Sequence, residues 1–272
     1  MSITSRFETL CQRPLSQTTR LSSVYTCRNR FCDIEPFDDG LVFPNQDYVN
    51  ASLVKDENSC RGVYIASQAP YPHNSDQLNI WGGPADYEHF WKMAYLHTDL
   101  IIGLTPAPQI YYPKLSQISL YKSMRVLTKE EERVSDSIVR RLFQVADTNT
   151  EDAPKNITLL EYNNWTDKSK PNDINDLLQL VKLIFNMSTF PVSNILIYCM
   201  AGVGRTGVLI CMLEILTRSK EGTLAEFDLD DFIYFIRTRR CPFMVETVDQ
   251  YAFLVNFLEK EREDCRWSRL IN

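Results

Sequence analysis

The stretch Ile195-Leu196-Ile197-Tyr198-Cys199-Met200-Ala201-Gly202-Val203-Gly204-Arg205-Thr206-Gly207-Val208-Leu209-Ile210 decides how the chain is read. Asn194–Tyr198 is a short apolar run and reads as a buried strand. Val208–Arg218 reads as a buried helix. Between them lie small residues and three of the chain's nine glycines. Glycines at a strand-to-helix turn let successive backbone N–H groups face one point, and the helix N-terminus adds its positive end, which makes a nest for an anion. The same field favours the thiolate of Cys199. Arg205 brings a planar fork that can grip two phosphate oxygens. The plain alternative is a buried cysteine in a tight turn, but three glycines and an arginine make a poor core. The absence of G-K-[ST] excludes a nucleotide-binding P-loop.

Working outward, short apolar strands are expected at Gly62–Ala66, Leu100–Leu104 and Ile157–Tyr162, and a strand of alternating apolar and polar residues at Ser137–Val145. Helices are expected at Tyr87–Tyr95, Asp173–Phe185, Leu229–Thr238 and Thr247–Glu261. Tyr71–Pro84, with Gly82-Gly83-Pro84, reads as a surface loop. No internal repeat or low-complexity linker appears. Alternating strands and helices over an unbroken chain give the expectation of a single α/β domain over residues 1–272.

Composition narrows the function. The 272 residues are 44% hydrophobic and 24% charged, as in an average soluble domain. Lys and Arg number 29 against 35 Asp and Glu, a net charge of −6, so a general nucleic-acid or anionic-membrane binder is not expected. Met1–Glu8 lacks the apolar stretch of a signal peptide, and Val208–Leu213 is too short to span a membrane. Eight cysteines without a C-x-x-C pair point to reduced thiols in the cytoplasm. Three histidines at 73, 89 and 97 show no metal-ligand spacing, so no metal and no cofactor are expected.

Eight segments in order carry a family resemblance. Cys199–Gly207 resembles the C-x5-R loop of the tyrosine-specific protein tyrosine phosphatases. Asn29-Arg30-Phe31-Cys32-Asp33-Ile34 is similar to that family's substrate-recognition loop, and Asp47-Tyr48-Val49-Asn50-Ala51-Ser52 to its D-Y-I-N-A-S segment. Tyr64–Pro70 resembles Y-I-A-x-Q-x-P, Phe90–Met93 resembles F-W-x-M, and Tyr112-Pro113 stands in place of W-P. Trp165-Thr166-Asp167 resembles the mobile acid loop W-P-D, and Val245–Tyr251 resembles V-Q-T-x-x-Q-Y. The match runs from about Asn29 to Phe253.

The resemblance implies a central twisted mixed β-sheet flanked by helices and hydrolysis of phosphotyrosine on proteins through a cysteinyl-phosphate intermediate. Cys199 would attack phosphorus, and Arg205 with the amides of Met200, Ala201, Gly202, Val203 and Gly204 would hold the equatorial oxygens. Asp167 would protonate the leaving group; read alone, it is a solvated loop aspartate beside Lys168. Trp165 would anchor the closing loop and help bind substrate. Thr206 would hydrogen-bond the sulfur or start the helix. Phe31 would wall the pocket, or sit in the core. Asp33 would accept from substrate amides, or be a turn residue. Glu246 and Gln250 would position the attacking water, or be surface polar residues. Arg237-Thr238-Arg239-Arg240 would meet an acidic substrate, or be a solvated helix end.

The partners implied are tyrosine-phosphorylated proteins in the cytoplasm, or in a host's cytoplasm if a pathogen or virus makes the protein. The other readings are a phosphotyrosine-binding protein with little turnover, and the same chemistry on RNA 5′-phosphates or phosphoinositides. The pattern departs at Tyr198 (His in the family), Thr166 (Pro), Glu246 (Gln) and Phe31 (Tyr). Thr105–Gln109 also carries no acid to pair with the loop arginine. Nucleophile, arginine and acid all remain, so the expectation is reduced or altered activity with catalysis retained.

Overall fold

The computed structural model describes residues 1–43, 48–55, 63–70, 87–105, 111–187 and 194–271. The expected loop at Tyr71–Pro84, its Gly-Gly-Pro, Gly62, Asp47 and most of Thr105–Gln109 lie outside these residues. Helices α1 (Ile3–Cys11) and α2 (Arg20–Val24) precede strands β1 (Ala51–Val54) and β2 (Tyr64–Gln68). Helix α3 (Tyr87–His97), strand β3 (Leu100–Gly103) and the strands β4 (Ile118–Tyr121), β5 (Met124–Arg133), β6 (Ile138–Asp147) and β7 (Lys155–Tyr162) follow. The chain continues through α4 (Ile174–Met187), β8 (Ile195–Cys199), α5 (Gly204–Glu221), α6 (Leu229–Arg239), α7 (Val248–Asp264) and α8 (Arg266–Ile271).

The strands form one mixed eight-stranded sheet in the order β1-β2-β8-β3-β7-β6-β5-β4. β2, β8, β3 and β7 run parallel; the outer pairs are antiparallel. β8 lies among the parallel strands and is buried along its whole length, as a continuous apolar run in a doubly covered sheet must be. Its alternation splits the core. Ile195, Ile197 and Cys199 join the apolar cluster that includes α4, α5 and α7, while Leu196 and Tyr198 join the cluster around Phe90, Trp91 and Tyr111. Among the described residues, no helix is long and apolar enough to cross a membrane.

Two sequence expectations need correction. α5 starts at Gly204, four residues before the expected Val208, so Gly204, Arg205, Thr206 and Gly207 belong to its first turn. It ends where Gly222 adopts φ 74, the left-handed stop that glycine takes without strain. β4 and β5 were not expected, because Lys129-Glu130-Glu131-Glu132-Arg133 does not alternate in hydropathy. Cross-strand ion pairs hold that end of β5 to β6: Arg141 Nε lies 2.7 Å from Glu131 Oε2, and Arg140 Nε 3.0 Å from Glu132 Oε2.

Candidate active site

β8 delivers Cys199 to the floor of a cleft of about 520 Å³, where the residue is 3% exposed. The loop that follows has its carbonyls tied back. Ala69 N–H donates to the Met200 carbonyl (3.2 Å). The guanidinium of Arg240 donates from Nη2 to the Ala201 carbonyl (2.9 Å) and from Nε to the Gly202 carbonyl (2.6 Å). In a trans peptide the N–H points opposite the C=O. Fixing these three carbonyls on the outside therefore turns the amides of Ala201, Gly202 and Val203 the other way. Gly202 makes the turn at φ 72, and a Cβ there would lie 2.2 Å from the Ser67 carbonyl oxygen, so no other residue fits.

Arg240 is the residue that sequence reasoning missed. Neither reading of the Arg237–Arg240 run holds for it: it is fully buried, and its Nη1 and Nη2 also donate to Ser52 Oγ (3.2 Å) and Asn50 Oδ1 (2.8 Å). Burial lowers its pKa, with Cys241, Tyr48 and Cys199 acting against that shift. Arg237 is buried too and donates to the carbonyls of Met244 and Val245. A signal existed. Leu229, Phe232, Ile233 and Ile236 form the buried stripe of α6, and Arg237 and Arg240 continue its spacing.

The motif segments converge on this brace. Asn50 Nδ2 and Tyr48 Oη both donate to Asn29 Oδ1 (2.9 and 2.7 Å). Gln68 Oε1 accepts from Arg30 N–H, and its Nε2 donates to the Arg28 carbonyl, both at 2.8 Å. These contacts fix the backbone that carries Phe31 and Asp33 to the cleft. Phe31 is 38% exposed and so a wall, not a core residue.

Arg205 also lines the cleft and is 3% exposed. Its Nη1 donates to the Trp165 carbonyl (3.0 Å), and its Nη2 donates to Asp167 Oδ1 (2.7 Å). Asp167 is therefore not a plain solvated aspartate: it faces the cleft in an ion pair with the loop arginine, though its side chain is 63% exposed. Arg205 Nε is buried and has no partner among the described residues.

Trp165 is buried behind the cleft and not in its wall, with Nε1 donating to the Ser169 carbonyl (2.9 Å). Gly202 is likewise behind the surface formed by Met200, Ala201, Val203 and Gly204. Glu246 and Gln250 line the cleft, and Gln250 is fully buried rather than a surface residue. Its Oε1 accepts from Glu246 N–H (2.9 Å), and its Nε2 donates to the Ser169 carbonyl (3.2 Å). Thr206 performs neither expected task. Its buried hydroxyl has no partner among the described residues, and the residue preceding the helix is Val203.

Tyr198, in place of the family histidine, points to the far face of the sheet, where its hydroxyl shares a 3.0 Å hydrogen bond with Tyr111 Oη. Gly103 makes room for that ring: a Cβ there would lie 2.5 Å from Tyr198 Oη. No cluster of three or more metal-ligating side chains occurs among the described residues.

The arrangement puts a sulfur, a guanidinium and a carboxyl into one cleft beside the loop amides. Comparisons with known proteins agree with it. A family model described as protein-tyrosine phosphatase matches residues 25–260. The chain is 28% identical over 267 residues to protein-tyrosine-phosphatase PTP1 of Arabidopsis thaliana, covering 92% of this chain and 74% of that protein. It is 28% identical over 255 residues to tyrosine-protein phosphatase non-receptor type 4 of Homo sapiens, covering 87% of this chain and 25% of that one. The solved structure of Trypanosoma brucei protein tyrosine phosphatase TbPTP1 superposes with a TM-score of 0.81 at 22% identity, covering 95% of this chain and 90% of that one. The catalytic domain of human protein tyrosine phosphatase non-receptor type 18 superposes with a TM-score of 0.80 at 19% identity, covering 95% of both chains.

Proposed function

The chain belongs to the protein-tyrosine phosphatase family, and from that membership we propose that it hydrolyses phosphotyrosine on proteins through a phosphorylated Cys199. Cys199 Sγ attacks phosphorus in line with the departing phenolate, and Asp167 gives that phenolate its proton. The loop amides and the remaining N–H groups of Arg205 hold the three equatorial oxygens as charge redistributes. Water then attacks the thiophosphate. Glu246 and Gln250 position it, Asp167 takes back a proton, and inorganic phosphate leaves with the cysteine sulfur restored. Depth supports the choice of residue. A nearly buried sulfur below the exposed ring of Phe31 suits a phosphate on a long aryl side chain better than one on serine. Asp33 at the rim accepts hydrogen bonds from substrate amides. A reducing cytoplasm, in which Cys199 and the exposed Cys11, Cys32 and Cys265 stay free thiols, suits this chemistry.

The observation that carries this reading is that Cys199, Arg205 and Asp167, brought from three separate segments, line one cleft. The test is turnover of phosphotyrosine peptides beside phosphoserine peptides. Wild type is expected to release phosphate from the first only, Cys199→Ser to release none, and Asp167→Ala to lose about 10²-fold or more in kcat, as for loss of a general acid. Equal turnover by Cys199→Ser and wild type would refute it, and binding of phosphotyrosine without release would favour a binding protein.

A further inference from the structure

Three contacts join the acid loop to the segment at the start of α7, and only one of them pairs opposite charges. The Gln250 amide and the Thr247 hydroxyl reach main-chain carbonyls: Gln250 Nε2 donates to Ser169, and Thr247 Oγ1 to Lys168 at 3.3 Å. The third is the ion pair of Lys168 Nζ with Glu246 Oε1, at 3.2 Å. Lys168 adopts φ 57, a left-handed conformation that directs the loop at this point. Hydrogen bonding and charge attraction from Glu246 raise its pKa, with Asp167 and Asp33 adding to that.

Glu246 also reaches inward. A Cβ placed on Gly204, the first residue of α5, would lie 3.1 Å from Glu246 Oε2. One carboxylate oxygen thus borders the helix N-terminus that lines the anion nest, while the other meets Lys168. A bare carboxylate in that place would repel a phosphate dianion. Lys168 is the cation set against it, and it sits next to Asp167 on the same loop.

Building on the phosphatase reading, we propose that Lys168 is a positioning residue of the reaction: its ion pair with Glu246 latches the acid loop over the cleft and cancels the carboxylate's charge beside the phosphate. Closure and charge neutralisation are then one event. An open loop leaves Glu246 uncompensated, and a closed one presents Asp167 to the leaving group with the repulsion removed.

The test is a double-mutant cycle on kcat and KM with para-nitrophenyl phosphate, using wild type, Lys168→Met, Glu246→Gln and the double variant. Lys168 is 69% exposed, so its substitution spares the core. Lys168→Met is expected to lower kcat/KM about three- to five-fold, the range of an exposed ion pair, with part of the loss in KM. The double variant is expected to be faster than Lys168→Met alone, because removing the carboxylate removes the repulsion that the lysine had masked. Raising salt should narrow the gap between wild type and Lys168→Met, because it screens both the ion pair in the first and the uncompensated carboxylate in the second. Wild-type kinetics in Lys168→Met, or the same loss from it in both backgrounds, would overturn the latch while leaving the phosphatase reading intact. Phosphate release by Cys199→Ser equal to wild type would instead take down that reading and the latch together.

Discussion

Arg240 shows how one buried side chain can set the properties of atoms it never passes to substrate. Its guanidinium holds two consecutive carbonyls of the nucleophile loop and, through Asn50, the segment behind the substrate-recognition loop. Removing it leaves the Ala201 and Gly202 carbonyls and Asn50 Oδ1 without those donors in a buried setting. Arg240→Met is expected to cost about 3 kcal/mol or more of stability, since each unsatisfied buried group costs about 1–3 kcal/mol. Turnover should fall further than the folded fraction does, because the amides lose their common aim. Lysine is no substitute, as a point charge lacks the planar fork. Chemical denaturation with kcat on the same samples checks this, and an Arg240→Met protein of wild-type stability and rate would contradict it. The charges of the run Arg237–Arg240 conceal its burial, because charge ordinarily means solvent. The apolar stripe of α6, carried two steps further, already placed both arginines inside.

At the scale of elements, the alternation of β8 separates two neighbouring residues by the thickness of the sheet. Cys199 faces the cleft, and Tyr198 faces the aromatic cluster of Phe90 and Tyr111. The replacement of the family histidine by Tyr198 is therefore a matter of packing on the far face, with Gly103 giving up its side chain to admit the ring. Tyr198→Phe is expected to lower stability by about 1 kcal/mol through loss of the Tyr111 hydrogen bond. Its kcat should stay at the wild-type value. A large fall in kcat with stability intact would mean that residue 198 reaches the sulfur after all. α5 makes the complementary point. Its first turn is built from Gly204, Arg205, Thr206 and Gly207, residues that a propensity reading leaves in the loop. Packing decides otherwise: Gly207 lies against Val245, where a Cβ would come within 2.7 Å of the backbone nitrogen.

For the molecule as a whole, pH acts through groups whose surroundings differ between folded and unfolded chain. His97, at the end of α3, packs with its ring tilted against Phe43 at 5.4 Å between ring centroids, and its Nε2 is buried. Burial, and then the charge of Lys155, lowers its pKa below the ordinary 6.5. The unfolded chain therefore takes up a proton first as pH falls. Stability contributed by neutral His97 is present above about 6.5 and is lost on acidification until the folded-state pKa is passed. Urea denaturation at pH 7.5 and 5.5 is expected to show a smaller pH difference in His97→Phe than in wild type. An unchanged difference would assign the acid sensitivity elsewhere.

Order along the chain determined the α/β class and the family, because each motif is local, and it singled out Cys199 and Arg205 by their spacing and Asp167 by the family resemblance as the trio of the proposed chemistry. The alternation of β8 and the glycine-rich turn are properties of adjacent residues. Tertiary structure alone decided the rest. It put Arg240 under the loop, turned Tyr198 away, brought Lys168 onto Glu246 and drew β4 and β5 into the sheet through pairing with β6. The side-chain contacts among these join residues from 38 to 87 positions apart, governed by burial and charge in the folded state, and no local pattern of hydropathy encodes which distant group will be met.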